Sequence, residues 1–396
     1  MPSVPAMLIC ENGITFYGTS FGAVPPAVSE LKTASVSFSG ELIFNTGMSG
    51  YVETATDPSY TGQIVLFTYP HIGNYGVEEV WSESAAEPSH RKKVKAAGFA
   101  VKKLYKGPVP AGRISFDSYL SESGVTGIEG IDTRTLTLML RDGGSLNGII
   151  VAHDETPLSA SEKELIREFF LSAPSMAGRN LIGEVGCRRI RRHPRQAGKT
   201  VERVVRRGER YRIAVLDCGI KGNIVRELRD RGCRVTLFPS FSTAQTILET
   251  DPDAVLISNG PGDPGVLTSV IETVRSLLGK KPVFGICLGH QLIALASGAS
   301  TYKMKFGHHG LNHPVRDERT GRVFVTSQNH GFAVDEKTLP KEMSVWCRNA
   351  NDGTVEGLIH KTLPVMCVQF HPEACPGPTD SSWIFDAFLD KIGEVQ

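Results

Sequence analysis

From Ile213 onward the chain alternates short unbroken apolar runs with amphipathic stretches. Ile213-Ala214-Val215-Leu216-Asp217-Cys218-Gly219 predicts a strand that ends in a turn, and Lys221 to Arg231 a helix closed by Gly232. Arg234 to Phe238 and Ala254 to Ser258 predict two further strands, the second running into the loop Asn259-Gly260-Pro261-Gly262-Asp263-Pro264. A helix from about Leu267 to Leu278 then leads to a strand at Pro282 to Ile286. Apolar strands without polar alternation, separated by helices, imply a parallel sheet covered on both faces. After Gln291 the pattern turns β-rich, at Arg322 to Thr326, Met343 to Arg348, Val355 to His360 and Val365 to Phe370, and a helix over Ser381 to Ile392 closes it.

The N-terminal part reads differently. Met7 to Cys10, Ile14 to Tyr17, Ser35 to Phe38, Leu42 to Asn45 and Ile64 to Thr68 predict short strands with Gly-rich turns. Ile131 to Arg141, with Asp132 as its cap, is the clearest helix, and Ser161 to Leu171 is a second. The expected organisation is an N-terminal α/β domain over residues 1–175, a linker over 176–210 and a second domain over 211–396. The linker is basic, with Arg188-Arg189-Ile190-Arg191-Arg192-His193-Pro194-Arg195 and more arginines through Arg212. Without interleaved aromatics or a fold signature it reads as a solvated linker or a subunit contact, not a nucleic-acid patch.

A length of 396 residues, 40% of them hydrophobic, supports two or three domains with full cores. A formal net charge of +1 gives no global attraction to nucleic acid or to an anionic membrane. No apolar run reaches the ~18 residues of a membrane span, and Met1 to Cys10 lacks the form of a signal peptide. The eight cysteines are scattered without a Cys-x-x-Cys pair, which predicts reduced thiols, a cytoplasmic location and no zinc site.

The chemistry concentrates at Gly285-Ile286-Cys287-Leu288-Gly289-His290-Gln291, after the apolar Val283-Phe284. A strand, a tight turn and a helix lift one nucleophile above a sheet, and the glycines fit where a Cβ would crowd the elbow. The helix start directs N–H groups and positive dipole at the sulfur, which favours thiolate. A buried structural cysteine is the bland reading, and the flanking glycines oppose it. Downstream lies His371-Pro372-Glu373. In an extended segment residues i and i+2 point the same way, so Glu373 can orient His371 as a base for Cys287. The glycines of the Ser258–Pro264 loop fall at a strand's carboxyl end, where N–H groups can approach a substrate. His308, His309 and His313 resemble a metal cluster only by proximity; adjacent ligands crowd one ion, and no metal is predicted.

With these residues in place, the chain resembles the class I (triad) glutamine amidotransferases. Its remaining motifs are similar to the small, glutamine-hydrolysing subunits of carbamoyl-phosphate synthase. Those motifs include Phe44 to Tyr51, Thr56 to Tyr60, Tyr69 to Asn74, Gly130 to Arg134, Lys303 to Gly310, Ser327 to Phe332 and Pro372 to Pro378. Leu311 and Cys375 depart from the family pattern, where glycine and serine are usual; neither belongs to the triad. The resemblance implies an α/β fold, with a class I amidotransferase-like parallel-sheet domain and a smaller N-terminal β/β/α domain of swivelling type. It implies Cys287, His371 and Glu373 as catalytic residues, with L-glutamine bound by Ser59, Gly260, Gly262, Leu288, Gln291, Asn329, Gly331 and Phe332. No phosphate-cradling Gly-x-x-x-x-Gly-Lys loop occurs, so no cofactor is expected in this chain. ATP and a divalent metal are expected on a separate large subunit, its heterodimer partner. A stand-alone amidotransferase remains as an alternative, opposed by the N-terminal motifs around Ser59. An inactive scaffolding subunit remains as another, opposed by the intact triad.

Overall fold

The computed structural model describes residues 4–35, 37–84, 93–153, 157–193 and 210–394. The chain forms two compact units, one of Met1–Ser82, Lys92–Arg179 and Lys305–His309, the other of Glu83–Arg91, Asn180–Met304 and Gly310–Gln396. Both are discontinuous in sequence. Residues 194–209 of the expected linker lie outside the described residues.

In the first unit the strands are β1 (Pro5–Cys10), β2 (Thr15–Gly22), β3 (Ser39–Asn45), β4 (Gln63–Phe67), β5 (His71–Ile72), β6 (Gly98–Val101), β7 (Lys103–Leu104), β8 (Thr126–Glu129) and β9 (Leu146–Ala152). Seven close into a barrel in the order β1-β2-β8-β6-β4-β3-β9, while β5 and β7 pair separately. Strand alternation explains the packing. In β1, Ala6, Leu8 and Cys10 enter one core and Met7 and Ile9 another. Its helices are α1 (Tyr51–Thr56), α2 (Phe116–Glu122), α3 (Thr133–Gly143) and α4 (Ala160–Ser172). The Asp132 carboxylate accepts the Thr135 N–H at 3.0 Å and so starts α3, as its place in the sequence suggests. The strand expected at Leu42 to Asn45 begins earlier, at Ser39, and Ser37 makes only an isolated bridge to Val125. β6, β8 and β9 were not anticipated, because glycines interrupt their short apolar runs.

The second unit contains α5 (Ile182–Val185), β10 (Arg191–His193), β11 (Arg212–Asp217), α6 (Gly222–Asp230), β12 (Arg234–Pro239), α7 (Ala244–Leu248), β13 (Ala254–Ile257), α8 (Thr268–Leu277), β14 (Val283–Ile286) and α9 (Leu288–Ala296). Then follow β15 (Ser300–Asp317), of which Lys305–His309 count with the first unit, β16 (Val323–Asp335), β17 (Met343–Asn349), β18 (Val355–His360), β19 (Val365–Val368) and α10 (Trp383–Gly393). They build one sheet in the order β10-β12-β11-β13-β14-β19-β18-β17-β15-β16. The central strands β12, β11, β13, β14 and β19 are parallel. Every residue of β13, β14 and β19 is buried, as the absence of polar alternation requires. Helices cover both faces: Val270, Ile271 and Leu292 join Ala214 and Leu216 on one side, and Ile224, Leu228, Phe385 and Phe388 join Ile213 and Val215 on the other. The carboxyl ends of these parallel strands therefore stand together, where open α/β sheets bind ligands. Among the described residues, no helix is long and apolar enough to cross a membrane.

Candidate active site

Cys287 is the hinge between β14 and α9, with φ 55° and ψ −107°. Left-handed backbone at a non-glycine residue costs about 1–3 kcal/mol and persists only where its surroundings enforce it. Here the Cys287 N–H donates to Val368 O at 2.8 Å, and its carbonyl accepts the His290 N–H at 3.0 Å. The neighbouring backbone is as crowded as the sequence predicts. A Cβ on Gly289 would stand 2.1 Å from Ile257 O, and one on Gly285 would stand 2.7 Å from the Gly289 carbonyl. The thiol is 2% exposed, with Sγ 3.7 Å from Asn329 O.

His371 follows β19 and is anchored by its N–H to Ser327 O at 2.9 Å. Its Nδ1 lies 2.7 Å from Glu373 Oε1, both side chains being buried. The other ring nitrogen, Nε2, has no nitrogen or oxygen partner among the described residues. Burial alone would depress the imidazole pKa; the Glu373 carboxylate and the Cys287 sulfur outweigh it and hold His371 well above its ordinary value. Burial likewise would raise Glu373, but the Lys221 ammonium and His371 keep it well below the ordinary carboxylate range. An imidazole with one nitrogen on a carboxylate and the other toward a sulfur can move a proton to and from that sulfur's substrate.

Around this trio, a Cβ on Gly260 would meet Cys218 O at 2.2 Å and Leu288 Cδ2 at 2.9 Å, so the loop after β13 packs against the start of α9. Gly262 takes φ 95°, closed to most side chains. Gln291, one helical turn beyond Cys287, donates through Nε2 to Phe332 O at 2.8 Å and to Gln369 Oε1 at 2.9 Å. It thereby fixes the Asn329–Phe332 segment of β16 that carries Gly331. The structure thus brings Cys287, His371, Glu373, Leu288, Gln291, Gly260 and the Asn329 backbone into one cluster of contacts. Ser59 lies in the first unit, in a turn where its N–H is held by Asp57 Oδ1 at 2.9 Å.

Two family models match the chain: glutamine amidotransferase class-I over residues 214–391, and carbamoyl-phosphate synthase small chain, CPSase domain, over residues 8–150. A carbamoyl phosphate synthase small chain from Akkermansia muciniphila is 44% identical over 388 residues, covering 98% of this chain and 97% of that one. This chain belongs to the carbamoyl phosphate synthase small chain family. Other members include those of Clostridium perfringens, 44% identical over 97% of this chain and 98% of its own, and Archaeoglobus fulgidus, 44% identical over 99% of each. The small-chain model spans the motifs around Asn45 and Ser59, and the amidotransferase model spans Cys287, His371 and Glu373.

The Cys287, His371 and Glu373 cluster has a support that sequence reasoning missed. Lys221, 1% exposed, sits with Nζ 3.1 Å from Glu373 Oε1 and donates to Ala374 O at 2.6 Å. Asn223 donates through Nδ2 to the Glu373 carbonyl. The available signal was the position of Lys221-Gly222-Asn223, just after the Cys218-Gly219 turn at the carboxyl end of β11.

Proposed function

We propose that this small chain hydrolyses L-glutamine to glutamate and ammonia at Cys287 and passes the ammonia to a large subunit that makes carbamoyl phosphate. The observation that carries the reading is the buried His371, hydrogen-bonded through Nδ1 to Glu373 and interacting with the Cys287 sulfur.

In the proposed sequence His371 Nε2 already holds the proton of the Cys287 thiol, and the thiolate Sγ attacks the side-chain amide carbon of glutamine. The carbonyl electrons move onto oxygen, and the N–H groups of Leu288 and Gly260 hold that oxyanion; one such donor is worth about 3 kcal/mol of barrier. The C–N bond then breaks as His371 returns the proton to nitrogen, leaving ammonia and a γ-glutamyl thioester. Water, giving a proton to His371, adds to the thioester; the C–S bond breaks and glutamate leaves. Glu373 keeps the imidazole oriented throughout. Ser59, Gly260, Gly262, Leu288, Gln291, Asn329, Gly331 and Phe332 are proposed to hold the glutamine, Ser59 on the family resemblance alone.

The partner, the ATP and divalent metal it would carry, a cytoplasmic setting and a role in arginine and pyrimidine synthesis belong to the same proposal, supported by family membership. Ammonia is soon protonated in bulk water, so an enclosed route to the partner is part of it. Cys287→Ser is expected to abolish glutamine-dependent carbamoyl phosphate synthesis by the complex and leave ammonia-dependent synthesis within about twofold. Equal loss with both nitrogen donors would overturn the proposal. Radiolabelled glutamine should leave an acid-stable thioester on the wild-type chain and none on the variant.

A further inference from the structure

Glu83 is completely buried, and it comes from a segment that belongs to the second unit although it precedes most of the first in sequence. It closes the start of α6. Lys221, the residue before that helix, offers no side-chain cap, so the first helical N–H groups need partners from elsewhere. Glu83 supplies both: its carbonyl accepts the Gly222 N–H at 2.9 Å, and its Oε2 accepts the Asn223 N–H at 2.9 Å. The other carboxylate oxygen takes the Arg226 guanidinium, which in turn donates through Nε to Asn223 Oδ1 at 2.8 Å. That bond turns the Asn223 amide so that its NH₂ reaches the Glu373 carbonyl. Lys221, bridged in β fashion to Ser84, reaches the Glu373 carboxylate itself.

We propose that Glu83 is a positioning residue of the amidotransferase site, holding Lys221 and Asn223 where they fix Glu373 and, through it, His371. This rests on the glutaminase reading above. Glu83 touches no reacting atom; a small misplacement of an orienting group nonetheless costs turnover steeply.

The test uses the chain in the complex it forms with its native partner, assayed for glutamine hydrolysis at about pH 8. That lies above the value of about 7 to which burial lifts the Glu83 carboxyl against Lys221 and Arg226. Glu83→Gln is expected to lower kcat about tenfold or more with KM for glutamine within about twofold, and to slow Cys287 alkylation by iodoacetamide in parallel. Combined with Asn223→Ala, its effect should be far from additive. Wild-type kcat in a folded Glu83→Gln variant, or additive losses, would overturn the inference. If that variant fails to fold, the half-exposed Arg226→Gln decides: a fall of about threefold or more in kcat supports the ring of contacts, and an unchanged kcat refutes it. Cys287→Ser run alongside separates the two ideas. Hydrolysis surviving in Cys287→Ser removes the glutaminase reading and this inference together, whereas its loss beside an unaffected Glu83→Gln removes this inference alone.

Discussion

Glu373 shows how one carboxyl ties stability to the proposed chemistry. Burial pushes its pKa up from the ordinary 4.5, and Lys221 and His371 more than reverse that. A carboxyl depressed in the folded state stabilises the fold fully above its unfolded value, and that contribution fades as pH falls toward the folded one. Glu373→Gln should therefore narrow the urea-midpoint gap to wild type as pH drops from about 7 to about 3. A gap that widens on acidification would contradict the pairing. At neutral pH the same variant should lose at least about tenfold in glutamine kcat, read by ammonia release. Cys287 and the His371–Glu373 pair were legible because each is local: a strand, a glycine and a helix start are contiguous, and residues two apart stay close, although the segment expected to be extended is a turn in which the Ala374 N–H donates to His371 O at 3.2 Å. Lys221 was not. A lysine before a helix reads as solvated, and it takes its partners Glu373 and Ala374, far along the chain, to show that it is buried.

At the scale of elements, the elbow depends on close contact between α9 and its neighbours. Gly289→Ala would drive a methyl against Ile257 O, at the end of β13, and only movement of α9 could relieve it. Overpacking of this kind costs about 1–3 kcal/mol, and here the shift carries the sulfur with it. We expect a melting temperature lower by several degrees and a disproportionate loss of Cys287 alkylation rate, measured with iodoacetamide; a rate equal to wild type would mean that the elbow tolerates displacement. The helices legible in the sequence were those with amphipathic faces or local caps: α3 on Asp132, and α4, expected from Ser161 and started by the structure at Ala160 after a Ser159 cap. α6 was found from its apolar face, but its cap was invisible because it comes from Glu83. The barrel escaped detection for a related reason: a four-residue strand such as Gly98–Val101 is defined by the strands beside it.

For the molecule as a whole, the parallel sheet was legible strand by strand, because full burial leaves apolar runs that need no partner to be recognised. Its edges were less so. β10 and α5 come from residues where linker was expected, and the Cys187 N–H there donates to Asp217 Oδ2 at 2.7 Å. A fragment of residues 211–396 would keep the triad yet lack Glu83, α5 and β10. It should unfold at lower urea than the full chain and alkylate Cys287 more slowly, and a fragment matching the full chain on both counts would show that these pieces are dispensable. The interleaving also bears on protein engineering. No single scissor cut yields two self-sufficient parts, so a graft of the glutamine-handling half onto another scaffold would have to bring along a short borrowed peptide from far upstream.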